Sequence, residues 1–427
     1  MSLATSRTFA SLALPNYRNF FYGALVSNIG TWMQRTSQDW LVLTVLTKQS
    51  PAALGMVTAL AFAPMPLLAP VSGSIVDRFP KRQVLLVTQL LLWVNSLALL
   101  VLTATHAITL WEVYLLAATQ GIVMAFDMPC RQAFVSEMVP MDLLPNAIGL
   151  NSMSFNGARL IGPGLAGLVI AAVGIAPGMA VNALTFLAMF VALLTMDVKK
   201  LTPAPLRKGG GAIREGLSYV WHSPDLMTVM MIVFAVGMFG FNIQLINASM
   251  ATGVFHRDAA SYGLLGTVLA VGTLAGALIA ARRQQPRLRV LLASVAGLAL
   301  CNLVAALATN FWVYAAVLVP LGVLQLTALT TANSTVQLSS DPDKRGRVMA
   351  VYSAVSQGGT PLGALVLGGI GQAWGPRWAL VVTGVALGLA FAGVLGFLVR
   401  RRGIRFNLRG GWPPRLRVWL ADEVPGT

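Results

Sequence analysis

Long apolar stretches alternate with short polar connections along nearly the whole chain, and this alternation restricts it to a membrane-spanning fold. A helix that crosses a bilayer needs about 20 mostly apolar residues. Twelve stretches meet that requirement: residues 20–46, 51–76, 83–105, 110–130, 147–170, 178–196, 225–250, 260–281, 290–308, 312–337, 348–372 and 378–399. Only 10% of the 427 residues are charged, whereas an average soluble domain has about 25%. The chain is therefore predicted to be an all-α polytopic membrane protein.

The basic residues are distributed unevenly between the two sides of these spans. An even number of spans places both termini on one side, and 25 of the 30 Lys and Arg residues fall on that side or in the terminal segments. Lys48, Arg257 and Arg377 lie on the other side. The positive-inside rule then predicts cytoplasmic termini. Because the basic residues are scattered over short loops, the formal charge of +16 does not indicate a nucleic-acid partner.

The residue types that carry catalytic or metal chemistry are sparse. The two cysteines, Cys130 and Cys301, belong to different spans, and the three histidines lie near span ends or in loops. These residues suggest neither a disulfide framework nor a metal-ligand cluster. No phosphate-binding loop or nucleophile–base pair is present, so we expect no enzyme activity, no cofactor and no bound metal.

A polar stretch over residues 197–222 separates six spans from six. The predicted units are an N-terminal six-helix bundle (1–196), a cytoplasmic linker with a short amphipathic helix (197–224), a C-terminal six-helix bundle (225–399) and a basic cytoplasmic tail (400–427). The linker helix is expected either on the membrane surface or in solvent. The two halves echo each other in the Pro and Gly positions of their fifth spans, which predicts bundles related by a pseudo-twofold axis, with the substrate at their interface.

Residues 73–82 form a charged turn between the second and third spans that resembles the loop signature of the major facilitator superfamily. Gly162-Pro163 followed by Gly167 resembles the fifth-helix antiporter motif of that superfamily's exporters. Residues 27–34, 129–134 and 156–163 are similar to the branch that contains the bacterial enterobactin exporter and related secretion and drug-efflux proteins. The resemblance implies secondary transport by alternating access, in the bacterial cytoplasmic (inner) membrane, by a monomer.

The same resemblance implies a cytoplasmic gate around the charged turn. Its members are Gly73, Asp77, Arg78, Lys81, Arg82 and Asp127. Asp127 would pair with Lys81 or Arg82, and Asp77 would face the N-terminal end of the eleventh helix, where the helix dipole favours an anion. The alternative is a loop that only satisfies the topology.

The residue that usually couples protons in this superfamily is missing. The fourth-helix pattern has an Arg three residues before a Gln-Gly pair, and here Ala117 stands before Gln120-Gly121. Proton coupling must therefore be sought elsewhere in the spans.

Charges within spans normally pair or face a cavity, because exposure to lipid costs each about 2.5–3.5 kcal/mol. Arg35 and Asp39 are four residues apart on the first span, a spacing at which helical side chains meet, and Arg159 lies in the fifth span. We predict that Asp39 binds the coupled proton and that Arg35 and Arg159 compete with the proton for it. The alternative is a permanent Arg35–Asp39 ion pair that only fixes the helix.

Polar stripes on the cavity-lining spans supply the candidate substrate contacts. These are Gln34, Gln38, Gln120, Asn242, Gln244, Asn247, Gln325, Thr330 and Asn333. They predict a roomy and largely uncharged pocket, although the same side chains could equally form interhelical hydrogen bonds.

These patterns together predict a secondary active transporter that exports small organic molecules, drug-like or siderophore-like, as a proton antiporter. Its expected partners are a small-molecule substrate, protons and membrane lipid. Two alternatives remain open: a proton-coupled importer of a small solute, and a non-transporting membrane sensor on the same fold.

Overall fold

The computed structural model describes residues 7–202, 212–281, 287–341, 343–402, 405–409 and 415–419, and these are almost entirely helical. The α-helices are α1 (Pro15–Leu41), α2 (Pro51–Phe62), α3 (Pro64–Arg78), α4 (Lys81–Ala104), α5 (Leu110–Met138), α6 (Leu144–Val173), α7 (Ile175–Leu194), α8 (Ala212–Trp221), α9 (Pro224–Ala235), α10 (Ile243–Gly253), α11 (Ala259–Ala281), α12 (Leu288–Ala306), α13 (Phe311–Leu338), α14 (Arg345–Trp374) and α15 (Pro376–Arg402). Two short strands, β1 (Arg405–Arg409) and β2 (Arg415–Trp419), pair antiparallel in the tail, where no strand was predicted.

Ten helical segments in the described part of the chain are long and apolar enough to cross a membrane, which confirms the polytopic helical class. One of the ten combines α2 and α3, and another combines α9 and α10 through a π-helical turn at Val236–Gly240. The long helices α1 and α14 are not among the ten. Polar residues interrupt α1 in particular, including Arg35 and Asp39.

The charged turn is shorter than predicted. Helix α3 continues to Arg78 and α4 begins at Lys81, so only Phe79 and Pro80 connect them. Phe79 is extended, with φ −113° and ψ 152°, a conformation favoured by the proline that follows it, since proline disfavours the helical region for the preceding residue. Gly73 and Asp77 are therefore exposed residues on the last turns of α3.

Glycine provides the same turn at corresponding places in the two halves. Gly174 separates α6 from α7, and Gly375 separates α14 from α15; both have φ of 95°. Only glycine adopts this backbone conformation without steric cost. Each pair of long helices can therefore reverse direction within a single residue.

The two ends of the helical assembly are packed differently. We call the end that carries the start of α1 and the Phe79–Pro80 connection the terminal face, and the end that carries Gly174 and Gly375 the far face. At the far face, two helix crossings join the half before the linker to the half after it: α2 crosses α14, and α6 crosses α11. Helix α2 lies in the second predicted span and α11 in the eighth, while α6 lies in the fifth and α14 in the eleventh. The two crossings are therefore equivalent if the second half repeats the first.

Glycines allow these crossings to be close. A Cβ atom on Gly55 of α2 would lie 2.4 Å from the carbonyl oxygen of Ala364, and one on Gly263 of α11 would lie 2.4 Å from that of Pro163. Ser50 also donates a hydrogen bond of 2.7 Å to Gln372 across the same junction. The far face is therefore closed by backbone-to-backbone packing between the halves.

Helix α8 is amphipathic, and it packs on the terminal end of α14. Glu215 forms an ion pair with Arg347, and the ammonium of Lys344 lies 4.8 Å from the ring of Tyr219. Leu217 and Trp221 remain exposed on the other side of the helix.

Candidate functional site

A cavity of about 450 Å³ lies among the helices of the first half and meets the second half at one residue. Its lining residues come from α1, α2, α3, α5 and α6, and Gln357 of α14 is the contribution of the second half. Asp39 and Val57 line it toward the far face, and Arg131 and Gln132 line it toward the terminal face. The helix crossings close the far face, and the cavity extends from there toward the terminal face.

The polar stripe of α1 forms one wall of this cavity. Thr31, Gln34, Arg35, Gln38 and Asp39 all line it. Neighbouring helices fix Gln34, whose side-chain oxygen accepts hydrogen bonds from Ser96 at 2.5 Å and Asn182 at 2.7 Å. Among the described residues, its side-chain NH₂ group forms no hydrogen bond. This wall therefore holds one fixed donor group, the amide of Gln34, beside the cavity.

Asp39 connects the cavity to the second half of the chain. The residue is 6% exposed, and its carboxylate accepts a hydrogen bond of 2.8 Å from the hydroxyl of Tyr262 on α11. Trp40 stacks on the Tyr262 ring with the centroids 6.2 Å apart. A side chain that lines the cavity is thus bonded directly across the junction that closes the far face.

Tyr262 was not among the predicted site residues. It lies 223 residues from Asp39 in the sequence, inside a span that has no charged residue. The signal that could have identified it is a phenol near the far end of a span, because a buried tyrosine hydroxyl normally has a partner.

Arg35 and Arg159 both lie against the indole of Trp32. Their guanidinium carbons are 5.8 and 5.7 Å from the ring centroid, and Arg35 is also 4.7 Å from the centroid of Phe62. Within the described part of the chain neither arginine forms an ion pair. The proposed alternative of a fixed Arg35–Asp39 ion pair is therefore not what the structure contains.

The predicted pairing of Asp127 with Lys81 or Arg82 is wrong. Asp127 forms an ion pair of 2.5 Å with Arg131 and accepts hydrogen bonds of 2.7 Å from Thr88 and Gln89. Asp127 lies ten residues before Glu137 on α5, which places it about 15 Å deeper in the bundle than the terminal face.

The basic pair of the loop has other partners near the terminal face. Lys81 forms a buried ion pair of 2.8 Å with Glu137. Arg82 donates to the carbonyl oxygens of Leu193 and Leu194 at the end of α7. Both basic residues therefore hold the first half together.

Lys81→Met is expected to lower the free energy of unfolding by about 3–5 kcal/mol, because it leaves the Glu137 carboxylate buried without this cation. The double variant Lys81→Met/Glu137→Leu should recover most of that loss, because it removes both charges of the Lys81–Glu137 pair. Unfolding of the purified protein in detergent measures both values. A single variant as stable as the double variant would contradict this role.

The remaining predicted substrate contacts divide between the cavity and the helix interfaces. Gln38 and Gln120 line the cavity. The buried amides of the second half form interhelical hydrogen bonds instead: Asn242 donates to Thr360, Asn247 accepts from Tyr314, and Gln325 donates to Gly240. The others that lie outside the cavity lining are Gln244, Thr330, which donates to Leu326, and Asn333, which accepts from Gln337. The cavity also contains Arg35, Asp39, Asp127 and Arg131, so it is more charged than predicted.

The arrangement suits a transporter better than a catalyst. The cavity offers donors, acceptors and the aromatic rings of Trp32, Phe62 and Phe155. No group of three or more His, Cys, Asp or Glu residues in the described part of the chain could hold a metal ion. A molecule bound in the cavity would contact these donors, acceptors and rings, and also the Asp39 carboxyl, which is hydrogen-bonded to Tyr262 of the second half.

Residues 6–408 match the transmembrane secretion effector family. The chain is 26% identical to the multidrug efflux pump Tap of Mycolicibacterium fortuitum, over 83% of this chain and 88% of that protein. It is 23% identical to the enterobactin exporter EntS of Salmonella typhi, over 78% of this chain and 81% of that protein. It spans about half the length of the MFS-type transporter YfiS of Bacillus subtilis strain 168, with 26% identity over 48% of each chain.

The fold is similar to that of a bacterial homolog of the human lysosomal transporter Spinster in its inward-facing and unoccupied conformation. The TM-score is 0.69 at 16% identity, over 90% of this chain and 98% of the other. The predicted resemblance to the superfamily and to the branch with the enterobactin exporter is confirmed. The chain therefore belongs to the transmembrane secretion effector family, a family of membrane transporters within the major facilitator superfamily.

Proposed function

We propose that the chain exports small organic molecules across the bacterial inner membrane in exchange for protons. The observation that carries this proposal is the position of Asp39, whose carboxyl lines the cavity and is hydrogen-bonded to Tyr262 in the other half. A proton or a substrate that binds to this carboxyl would change its hydrogen bond to Tyr262, and so the contact between the halves at the far face. The names of two relatives, a multidrug efflux pump and an enterobactin exporter, support drug-like or siderophore-like substrates.

The proposed architecture has twelve spans in two six-helix bundles, residues 1–196 and 225–399, joined by the linker 197–224 and followed by the tail 400–427. In this proposal the twelve spans are the ten apolar segments together with the long helices α1 and α14. The polar residues of α1, which lower its hydropathy, are those that face the cavity. The symmetric crossings of α2 with α14 and α6 with α11 support a pseudo-twofold relation between the bundles. One chain supplies the whole cavity, which favours a monomer, and the mass of the purified protein in detergent tests this.

We place the terminal face in the cytoplasm because 25 of the 30 basic residues lie on that side or in the terminal segments. The cavity then opens inward while the crossings close the outer side. Labelling of single cysteines at the two faces in intact cells tests the orientation.

Proton exchange at Asp39 drives the cycle in this proposal. Arg35 and Arg159 compete with the proton for the Asp39 carboxyl, and alternating access changes the surroundings of that carboxyl between the two sides of the membrane. The outward-facing state would take up the next proton as the substrate leaves. A proton that moves inward through a potential of 100 mV supplies about 2.3 kcal/mol.

The substrate contacts that we propose are the lining amides Gln34, Gln38 and Gln120. Trp32 and Phe155, whose rings meet edge to face with centroids 6.0 Å apart, offer an apolar wall beside these amides. Amphipathic molecules with planar parts are the class that such a wall suits.

A transport assay with the purified protein in liposomes tests the proposal. A panel of fluorescent drugs and catecholate siderophores is followed under an imposed pH gradient. We expect one or more compounds to move uphill and the movement to collapse with a protonophore. Movement that ignores the gradient would indicate facilitated diffusion instead, and no movement of any compound would contradict the proposed substrate class.

We also propose that the end of α3 acts as the cytoplasmic gate of the outward-facing state. In the present structure Gly73 has open space around it, and Asp77 and Arg78 are exposed, as expected for a gate that is released. Asp77 would approach the N-terminal end of α14 when the cytoplasmic side closes.

Asp77→Asn should lower the turnover of transport about tenfold and leave membrane insertion unchanged, because its charge contributes only in the closed gate. Initial transport rates and the amount of protein in the membrane measure the two effects. Unchanged turnover would contradict the gate.

A further inference from the structure

We propose that Tyr262 is the positioning residue that keeps the empty transporter from changing sides while Asp39 is charged. This inference rests on the proposed function, because it takes Asp39 as the residue that binds the coupled proton. It assigns to a tyrosine of the second half a role in preventing proton leakage.

The first step is the character of the bond between the two residues. The Tyr262 hydroxyl donates to a carboxylate oxygen of Asp39 at 2.8 Å, and both side chains are buried. A hydrogen bond to a charged acceptor is about twice as strong as one between neutral groups. The bond between Asp39 and Tyr262 is therefore strong while Asp39 is charged and weak once Asp39 is protonated.

The second step is the location of that bond. It joins α1 of the first half to α11 of the second half, and Tyr262 lies one residue before Gly263, where α11 crosses α6. Trp40, next to Asp39, stacks on the same phenol ring. Opening of the far face would separate α1 and α11 and break this bond.

The third step concerns the other groups near the carboxylate. Arg35, on the same helix, and Tyr262, on α11, are the titratable groups that act on Asp39. Arg35 forms no ion pair within the described residues and stacks on Trp32 and Phe62 instead. The phenol is thus the group that binds the carboxylate while the cavity is empty.

An antiporter needs this restraint. If the transporter could change sides both with a proton and with nothing bound, it would carry protons inward without exporting substrate. A far face held closed by Tyr262 and charged Asp39 blocks the empty step. A proton on Asp39, or a substrate donor that replaces the phenol at the carboxylate, removes the restraint.

The test measures proton leakage through the protein in liposomes without any substrate, using a pH-sensitive dye in the lumen. Tyr262→Phe keeps the ring and its stacking on Trp40 but removes the hydroxyl. We expect the leak to rise about tenfold or more, as the loss of a hydrogen bond to a charged group implies. The control is Tyr314→Phe, which removes a buried hydroxyl bonded to Asn247 within the second half and should leave the leak unchanged.

The double variant Asp39→Asn/Tyr262→Phe separates this inference from the proposed function. A leak that rises in Tyr262→Phe and disappears in the double variant supports both. A leak that rises and persists in the double variant shows that Asp39 does not carry the proton, and the proposed function fails. If the proton leak does not increase in Tyr262→Phe while Asp39 is still required for uphill transport, the inference is overturned and the proposed function stands.

A measurement on the otherwise unchanged protein keeps the test valid if Tyr262→Phe does not fold. Spin labels at Lys48 and Trp374, both exposed at the far face, report its opening by pulsed electron paramagnetic resonance after replacement of the two native cysteines. We expect the longer distance to gain population as the pH falls and the pH dependence to vanish in Asp39→Asn. A distance distribution that does not depend on pH would overturn the inference.

Discussion

Asp39→Asn is expected to abolish uphill transport while downhill movement of the same substrate continues. A pH difference of one unit is worth about 1.36 kcal/mol and supports about tenfold accumulation when one proton exchanges for one substrate. The asparagine keeps the size of the side chain and can still bond to Tyr262, but it cannot bind the proton. Accumulation in liposomes should therefore fall from about tenfold to none.

Asp258→Asn is a matched control for that experiment. Asp258 is an exposed acid just before α11, outside the membrane-spanning segments. Hydrogen bonds from Ser261 hold the pKa of the Asp258 carboxyl below its usual range, so it stays charged at neutral pH. Asparagine also caps helices well, so this variant should transport normally. Full uphill transport by Asp39→Asn would refute the assignment of the coupled proton to Asp39.

Gly368→Ala is expected to shift the protein away from the state with a closed far face. A Cβ atom at Gly368 would lie 2.8 Å from the carbonyl oxygen of Pro51 and 3.1 Å from the Cα of Gly55 on α2. These are backbone atoms of the other half, so the helices must separate. Overpacking of this kind costs about 1–3 kcal/mol, which corresponds to a shift of about 5- to 150-fold in the ratio of closed to open far face.

The neighbouring glycine gives the control on the same helix. A Cβ atom at Gly369 would have nothing within 4 Å, so Gly369→Ala should leave the distances between Lys48 and Trp374 labels unchanged. We expect Gly368→Ala to populate the longer distance and to transport more slowly. Equal distance distributions in the two variants would show that the crossing of α2 and α14 does not set the state of the far face.

The fold class could be predicted because a bilayer imposes a length and a composition that can be counted along the sequence. Asp39, Arg35 and Arg159 were found for the same reason, since a charge within an apolar span is conspicuous. Spans and the charges within them could therefore be predicted without knowledge of the contacts between helices.

Pairings between helices could not be predicted, because they depend on depth and orientation. Lys81 pairs with Glu137 rather than Asp127 because both lie near the terminal face. Tyr262 offered only the signal of a phenol near the end of a span, which does not reveal that its partner is Asp39. The amides of the second half illustrate the same limit, since Asn247 is a helix-to-helix contact although its residue type suits ligand binding equally well.

The close packing of helices at glycine residues could be predicted only in part. Gly162-Pro163 and Gly167 were recognised as a motif, but their partner Gly263 and the equivalent pair Gly55 and Gly368 appear only when the helices are assembled. Repeats that have diverged in sequence can retain their symmetry in the positions where helices must approach closely.

The most direct test of proton-driven export follows substrate and proton together in one experiment. Liposomes that contain the purified protein are loaded with a transported compound and a pH-sensitive dye, then diluted into buffer without the compound at equal pH. Antiport predicts that the lumen becomes more acidic as the compound leaves, and that Asp39→Asn shows efflux without this acidification. A lumen that becomes more alkaline would show that proton and substrate move in the same direction, and an unchanged lumen pH would show that the two are not coupled.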